Sequence, residues 1–369
     1  MRIPPHLADE DLVTTYHATA ARYPNVFAAS RDILRECLGR GFEFIGNDVL
    51  GETWRDREFI RIVDCLVRAR PLGPIALLFS AFLTAQSRFA AKDCMLPCHE
   101  DGLTALFKRR LEDAIWWSNE DLGRKNRETY MPAIFAADLN IRGREWRTGA
   151  DIAFILGMTD QAGAQCYVVH CFQAKRADQS QDGKVDIRRG YDRAEGKDGG
   201  DQLRRLSRLA KLGCHSSYLF YNNDVRSIIP QPVAPLVKGI GHVLKHGEGA
   251  LDVRLDSDCC DLASYILRST TDAVVGGSCL TAEELMHAID ALVGEEISHV
   301  VALGTDRTAY DNILSYARRL DLVNVHQARS LDTRTINFDL VAVASAVDWQ
   351  VETEDAEAVL KMKFSPSGM

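Results

Sequence analysis

The sequence predicts a mixed α/β (α+β) protein in which helices flank a central sheet, and three observations carry that expectation. Two runs of strong β-formers, Ile152 to Leu156 and Tyr167 to Phe172, are separated by turn chemistry at Gly157 and from Asp160 to Gly163. Apolar residues at helical spacing precede them, from Leu103 to Ala114, and follow them, from Leu203 to Leu212. Beyond about Thr271, helix and strand patterns alternate, as an α/β unit requires.

The two β runs read most simply as an antiparallel hairpin, and its register has a chemical consequence. Side chains alternate along a strand, so Gln173 and Lys175 share one face while Phe172 and Ala174 take the other. A turn centred near Ala162 sets Asp151 opposite Gln173 to within a residue or two. A carboxylate, an amide oxygen and an ammonium then come within reach of one phosphate or metal ion. Lys175 closes a largely apolar run, where a lysine is seldom left without a partner. The plain alternative is that it marks the solvent end of the strand.

Before the hairpin, Leu103, Phe107, Leu111 and Ala114 recur at spacings of four, four and three and draw one apolar stripe along a helix. Glu100 stands three residues before Leu103 and extends that stripe to the helix N-terminus, where the macrodipole also favours an acid. After the hairpin, Asp201 suits an N-cap, Leu203, Leu206, Leu209, Ala210 and Leu212 a buried side, and Gly213 a helix end. The outward side carries Arg204, Arg205, Arg208 and Lys211, which serve either as a solvated face or as phosphate contacts. The strand Ser217 to Asn223 follows.

Gly149-Ala150-Asp151 and Gln173-Ala174-Lys175-Arg176, with the helix at Glu100 before them and the helix opened by Gly200-Asp201-Gln202-Leu203 after them, resemble the restriction-endonuclease-like PD-(D/E)XK nucleases. The likeness is to the Mrr-like variant, in which glutamine replaces the acid before the lysine, and it covers roughly residues 98–223. It implies a restriction-endonuclease-like central sheet and hydrolysis of a phosphodiester. Glu100, Asp151 and Gln173 would be the metal ligands, with Glu100 preferred over Asp101, Glu112, Glu120 and Glu128. The catalytic set would be Asp151, Gln173, Lys175, Glu100 and Gln202, with Mg2+ or Mn2+ as cofactor and Gln202 in a positioning role. Arg176, Arg204, Arg205 and Arg208 would contact nucleic acid. Gln173 offers only a neutral oxygen, one formal charge fewer than the acidic motif. The expected activity is DNA cleavage in bacterial restriction or anti-phage defence, with a homo-oligomer or a partner defence protein as further expectations. An RNA-cleaving enzyme of the same fold, or an inactive nucleic-acid-binding or assembly module, are the alternatives.

Composition sets outer bounds. The chain has 369 residues, 46% of them hydrophobic, enough for two or three domains. The expected division is a helical region at 1–97, the nuclease-like domain at 98–268 and a small α/β region at 269–369. A net charge of −8 excludes a uniformly basic surface, yet residues 104–211 hold 20 Lys and Arg against 16 Asp and Glu. The longest apolar stretch, Leu72 to Ala85, contains a proline and is too short to span a bilayer, so a buried helix and no membrane partner are expected. The N-terminus lacks the apolar core of a secretory signal, and ten cysteines without regular spacing suit reduced thiols in a cytoplasm. Cys94, Cys98 and His99 lack the paired spacing of a zinc site, and no Walker loop is present.

Overall fold

The computed structural model describes residues 10–41, 74–125, 134–139, 150–159, 163–177, 184–187, 200–223, 231–241, 252–257, 259–294 and 299–319. Its helices are α1 (Glu10–Arg22), α2 (Pro24–Gly41), α3 (Pro74–Lys92), α4 (Glu100–Lys125), α5 (Gly200–Lys211), α6 (Leu262–Gly276), α7 (Ala282–Gly294) and α8 (Arg307–Arg319). Its strands are β1 (Phe135–Leu139), β2 (Ile152–Thr159), β3 (Gln165–Arg176), β4 (Lys184–Asp186), β5 (His215–Tyr221), β6 (Leu236–Gly239), β7 (Asp252–Arg254), β8 (Cys260–Asp261) and β9 (His299–Gly304). Seven strands form one sheet in the order β1-β9-β2-β3-β5-β6-β8, and β4 pairs with β7 separately.

β2 and β3 pair antiparallel with Ile152 opposite Phe172, the register that the sequence pattern implies. The chain then crosses through α5 to β5, which runs parallel to β3, because parallel neighbours need a long connection. Every residue of β2 except Thr159 is buried. Such a strand must be covered on both sides. Phe154, Leu156 and Phe172 face a core shared with α1, α2, α3, α4 and α6. Ala153, Ile155, Val169 and Cys171 face a second core beneath α5, α7 and α8. Phe82 and Phe107 meet the Phe154 ring edge-on at 5.1 and 6.4 Å and carry α3 and α4 onto the sheet.

The expected division at 97/98 and 268/269 does not follow this packing. Leu12, Tyr16, Phe79 and Phe82 belong to the same core as the sheet residues Phe154 and Phe172. β9 lies between β1 and β2, antiparallel to the first and parallel to the second. The reason is the apolar content of β2 itself, which leaves neither its faces nor its edge to water.

Smaller expectations fare unevenly. Leu103, Phe107, Leu111 and Ala114 are all buried. Among the described residues of α5 only Leu206 and Leu209 are fully buried, and Ala210 and the following Leu212 are exposed, so the buried stripe is narrower than the pattern suggested. Gly213 ends the helix with φ +83°, and a Cβ there would lie 2.6 Å from Leu280 Cδ2. Cys166 and Cys279 form a disulfide, their Cα atoms 5.3 Å apart, against the expectation of reduced thiols throughout; Cys37, Cys94, Cys98, Cys171, Cys214, Cys259 and Cys260 are thiols outside any disulfide. Among the described residues no helix is long and apolar enough to cross a membrane.

Candidate functional site

The site forms where β3 outruns its partner. β2 pairs with β3 only as far as Ile152 opposite Phe172, and the Asp151 amide then donates to Phe172 O at 2.8 Å. Main-chain groups alternate in direction along a strand, so the next amides of β3 aimed to this side belong to Ala174 and Arg176. Carboxylates take both. Asp151 Oδ2 accepts from Ala174 N at 2.7 Å, and Glu100 Oε1 accepts from Arg176 N at 3.0 Å. Two acids from distant parts of the chain thus continue the ladder that β2 abandons, with Lys175 between the two amides that hold them.

Gln173 and Lys175 lie on one face of β3, only 2% and 4% exposed. Gln173 Nε2 donates to Asp151 Oδ2 at 2.5 Å, while its Oε1 is buried and has no hydrogen bond. Burial pushes the Asp151 carboxyl up to about 7; the Lys175 ammonium acts against that shift, and the Glu100 and Asp101 charges add to it. The arrangement therefore concentrates negative charge at a place partly closed to water, balanced by one buried cation. It offers two carboxylates and one amide oxygen to a hard cation. Among the described residues no group of three or more His, Cys, Asp and Glu side chains could hold a metal ion, and this set has only two such members.

Of the expected site residues, Asp151, Gln173, Lys175 and Glu100 come together, and Arg176 joins them through its backbone. Asp101, beside Glu100, is exposed. Arg205 and Arg208 sit on α5, which covers the same sheet face as Gln173 and Lys175, with Arg208 exposed and Arg205 partly so. The side chains of Gln202 and Arg204 lie outside the described residues.

Sequence reasoning did not single out the end of β5. Tyr221 is fully buried, its ring 5.2 Å from that of Phe89 and its hydroxyl 3.1 Å from Thr104 Oγ1. Burial, with the charges of Asp151 and Glu100 nearby, raises its phenol well above the usual range. Asn222 Nδ2 donates to Ala234 O at 3.2 Å and Asn222 Oδ1 accepts from Tyr23 Oη at 3.2 Å. Asn223 Nδ2 donates to Cys94 O and to Leu96 O, the latter at 2.8 Å. The available signal was the amide pair that follows the apolar run Tyr218 to Tyr221, since buried amides must find partners. No family model, no curated protein and no solved structure matches the chain.

Proposed function

We propose that this protein is a metal-dependent nuclease with a restriction-endonuclease-like fold, cleaving DNA phosphodiester bonds in bacterial restriction or anti-phage defence. The observation that carries the reading is the pair of carboxylates, Asp151 and Glu100, seated on alternate amides of β3 on either side of buried Lys175. The order of a β2–β3 hairpin, a crossover helix α5 and a parallel β5 supports it.

Asp151, Glu100 and Gln173 are the residues that would hold Mg2+, with Mn2+ as a substitute. They fit a hard cation: all three donors are oxygen, and Gln173 Oε1 is a buried acceptor without a hydrogen bond. When bound, the metal supplies a water of lowered pKa and neutralises phosphate charge. The chain's own part is to place charge. Lys175 presents its ammonium where negative charge develops on the phosphate, in surroundings that exclude most water. Exposed Arg208, with Arg205, gives the backbone of a nucleic acid a sequence-independent contact. A second reading, a nucleic-acid-binding module without catalysis, is favoured by one contact only: the Gln173 amide occupies the Asp151 oxygen.

The test is plasmid cleavage with Mg2+, Mn2+ or EDTA, alongside Asp151→Ala and Lys175→Met. Nicking that needs the metal and falls by about 100-fold or more in both variants is expected. No cleavage by the wild type under any condition, with DNA binding equal in all three proteins, would sink the nuclease reading in favour of the binding module. Duplex DNA, single-stranded DNA and structured RNA compared as substrates decide the nucleic acid.

A further inference from the structure

We infer that Asn223, together with Tyr221, is a positioning residue that fixes Glu100 for metal binding, an inference that rests on the nuclease reading above. Glu100 is the first residue of α4, and a helix N-terminus holds its geometry only when neighbouring groups fix it. Its side chain must also span from α4 to the Arg176 amide, which ties one carboxylate oxygen at 3.0 Å. What fixes the backbone beneath it is the end of β5.

Asn223 is wholly buried and directs Nδ2 to two carbonyls, Cys94 O and Leu96 O, in the turn that joins α3 to α4. Its Oδ1 is buried without a hydrogen bond. The residue therefore serves this turn as a donor alone, which an aspartate could not do. Tyr221 acts one helical turn further on: Thr104, which its hydroxyl meets at 3.1 Å, lies four residues after Glu100 and so on the same side of α4. The same strand end is locked to β3. Tyr221 is the register partner of Arg176, and its carbonyl accepts from Ala177 N at 2.8 Å. A closed circuit results, running from Glu100 to Arg176, across to Tyr221, and back through Thr104 and the Asn223-held turn. Arg110, further along α4, also holds the start of the turn through paired bonds to Asp93 at 2.5 and 2.9 Å. The placement of Glu100 relative to Asp151 is thereby set by β5, which supplies neither acid.

The experiment titrates Mn2+ into the full-length protein by calorimetry and Mg2+ into the cleavage assay. It compares wild type, Glu100→Gln, Asn223→Ala, Tyr221→Phe and the double variant Asn223→Ala/Glu100→Gln. Asn223→Ala is expected to raise the half-saturating metal concentration about 10-fold while the rate at saturating metal changes little, as loss of a ligand-orienting partner does. In the Glu100→Gln background the same substitution should have no further effect, because residues acting through one group are not additive. Tyr221→Phe removes a single hydroxyl and keeps the reading possible if Asn223→Ala does not fold; its expected shift is about threefold in the same direction. Additive effects, or metal affinity unchanged in Asn223→Ala and Tyr221→Phe but weakened in Glu100→Gln, overturn this inference and leave the nuclease reading standing. A wild type that neither binds Mn2+ nor cleaves overturns both.

Discussion

Asp151 holds a carboxyl that its surroundings would rather keep protonated. Its folded-state pKa, near 7, lies above the ordinary carboxylate value, so between about pH 4 and 7 the folded chain binds the extra proton. Stability from this group is therefore intact below the unfolded pKa and is lost as pH rises through 7. Asp151→Asn removes the ionisable group but keeps the acceptor of the Ala174 amide. It should stabilise the metal-free protein at pH 8 by no more than about 4 kcal/mol, and leave it unchanged near pH 4. Thermal melts at the two pH values check this; equal melting temperatures for variant and wild type at pH 8 would contradict it. At this scale much was legible. Strand alternation and the turn were enough to set Asp151 beside Gln173, and the apolar stripe of α4 pointed to Glu100. Asn223 was not legible, because its partners are main-chain carbonyls 129 and 127 residues away that no side-chain pattern announces.

Among the elements, α6 shows how the N-terminal helices are bound to the rest. Its N-cap is Asp261, buried at the end of β8, whose Oδ1 accepts from Ser264 N at 3.1 Å, Gln86 Nε2 at 2.7 Å and Tyr16 Oη at 3.3 Å. Its Oδ2 takes the Ser264 hydroxyl at 2.6 Å, and its amide donates to Ser30 Oγ at 3.1 Å. The carboxylate thus ties α1 and α3 to the start of α6, and the main-chain amide of the same residue adds α2. Asp261→Ala would strand several buried donors at once, and we expect a loss of about 3 kcal/mol in urea unfolding, beyond what a missing cap alone costs. A loss under about 1 kcal/mol would show that the network contributes little. The cap of α7 is held by Thr281 and Glu284, whose reciprocal bonds are 2.8 and 3.3 Å long. The Cys166–Cys279 bridge was not legible, since its sequence separation of 113 residues carries no spacing signal.

For the whole molecule, the alternation of strand and helix after residue 271 was visible, but its placement was not. Local pattern gives β9 its apolar run and says nothing about which edge it will fill; β2, buried on both faces from Ile152 to Met158, decides that. A chain ending at residue 268 would lose β9, α7, α8 and most of α6, and would bare the edge of β2 and the face beneath α7 and α8. We expect such a chain to elute as aggregate and to melt without a cooperative transition. A monomeric, cooperatively folding product would mean that the sheet tolerates the missing strand.

The place of β9 also dates the moment at which the protein comes into being. Ile152 and its partner His299 are separated by 147 positions, so a ribosome finishes Asp151, Gln173 and Lys175 long before it makes the strand that seals their hairpin. β1 waits too, since β9 is its partner in the sheet. A nascent chain therefore carries Asp151, Gln173 and Lys175 through the making of the next 129 residues, up to Gly304, without the frame that aligns them. We expect the site to take its final form only once translation has passed Gly304, since β9 is the strand that both β1 and β2 pair with.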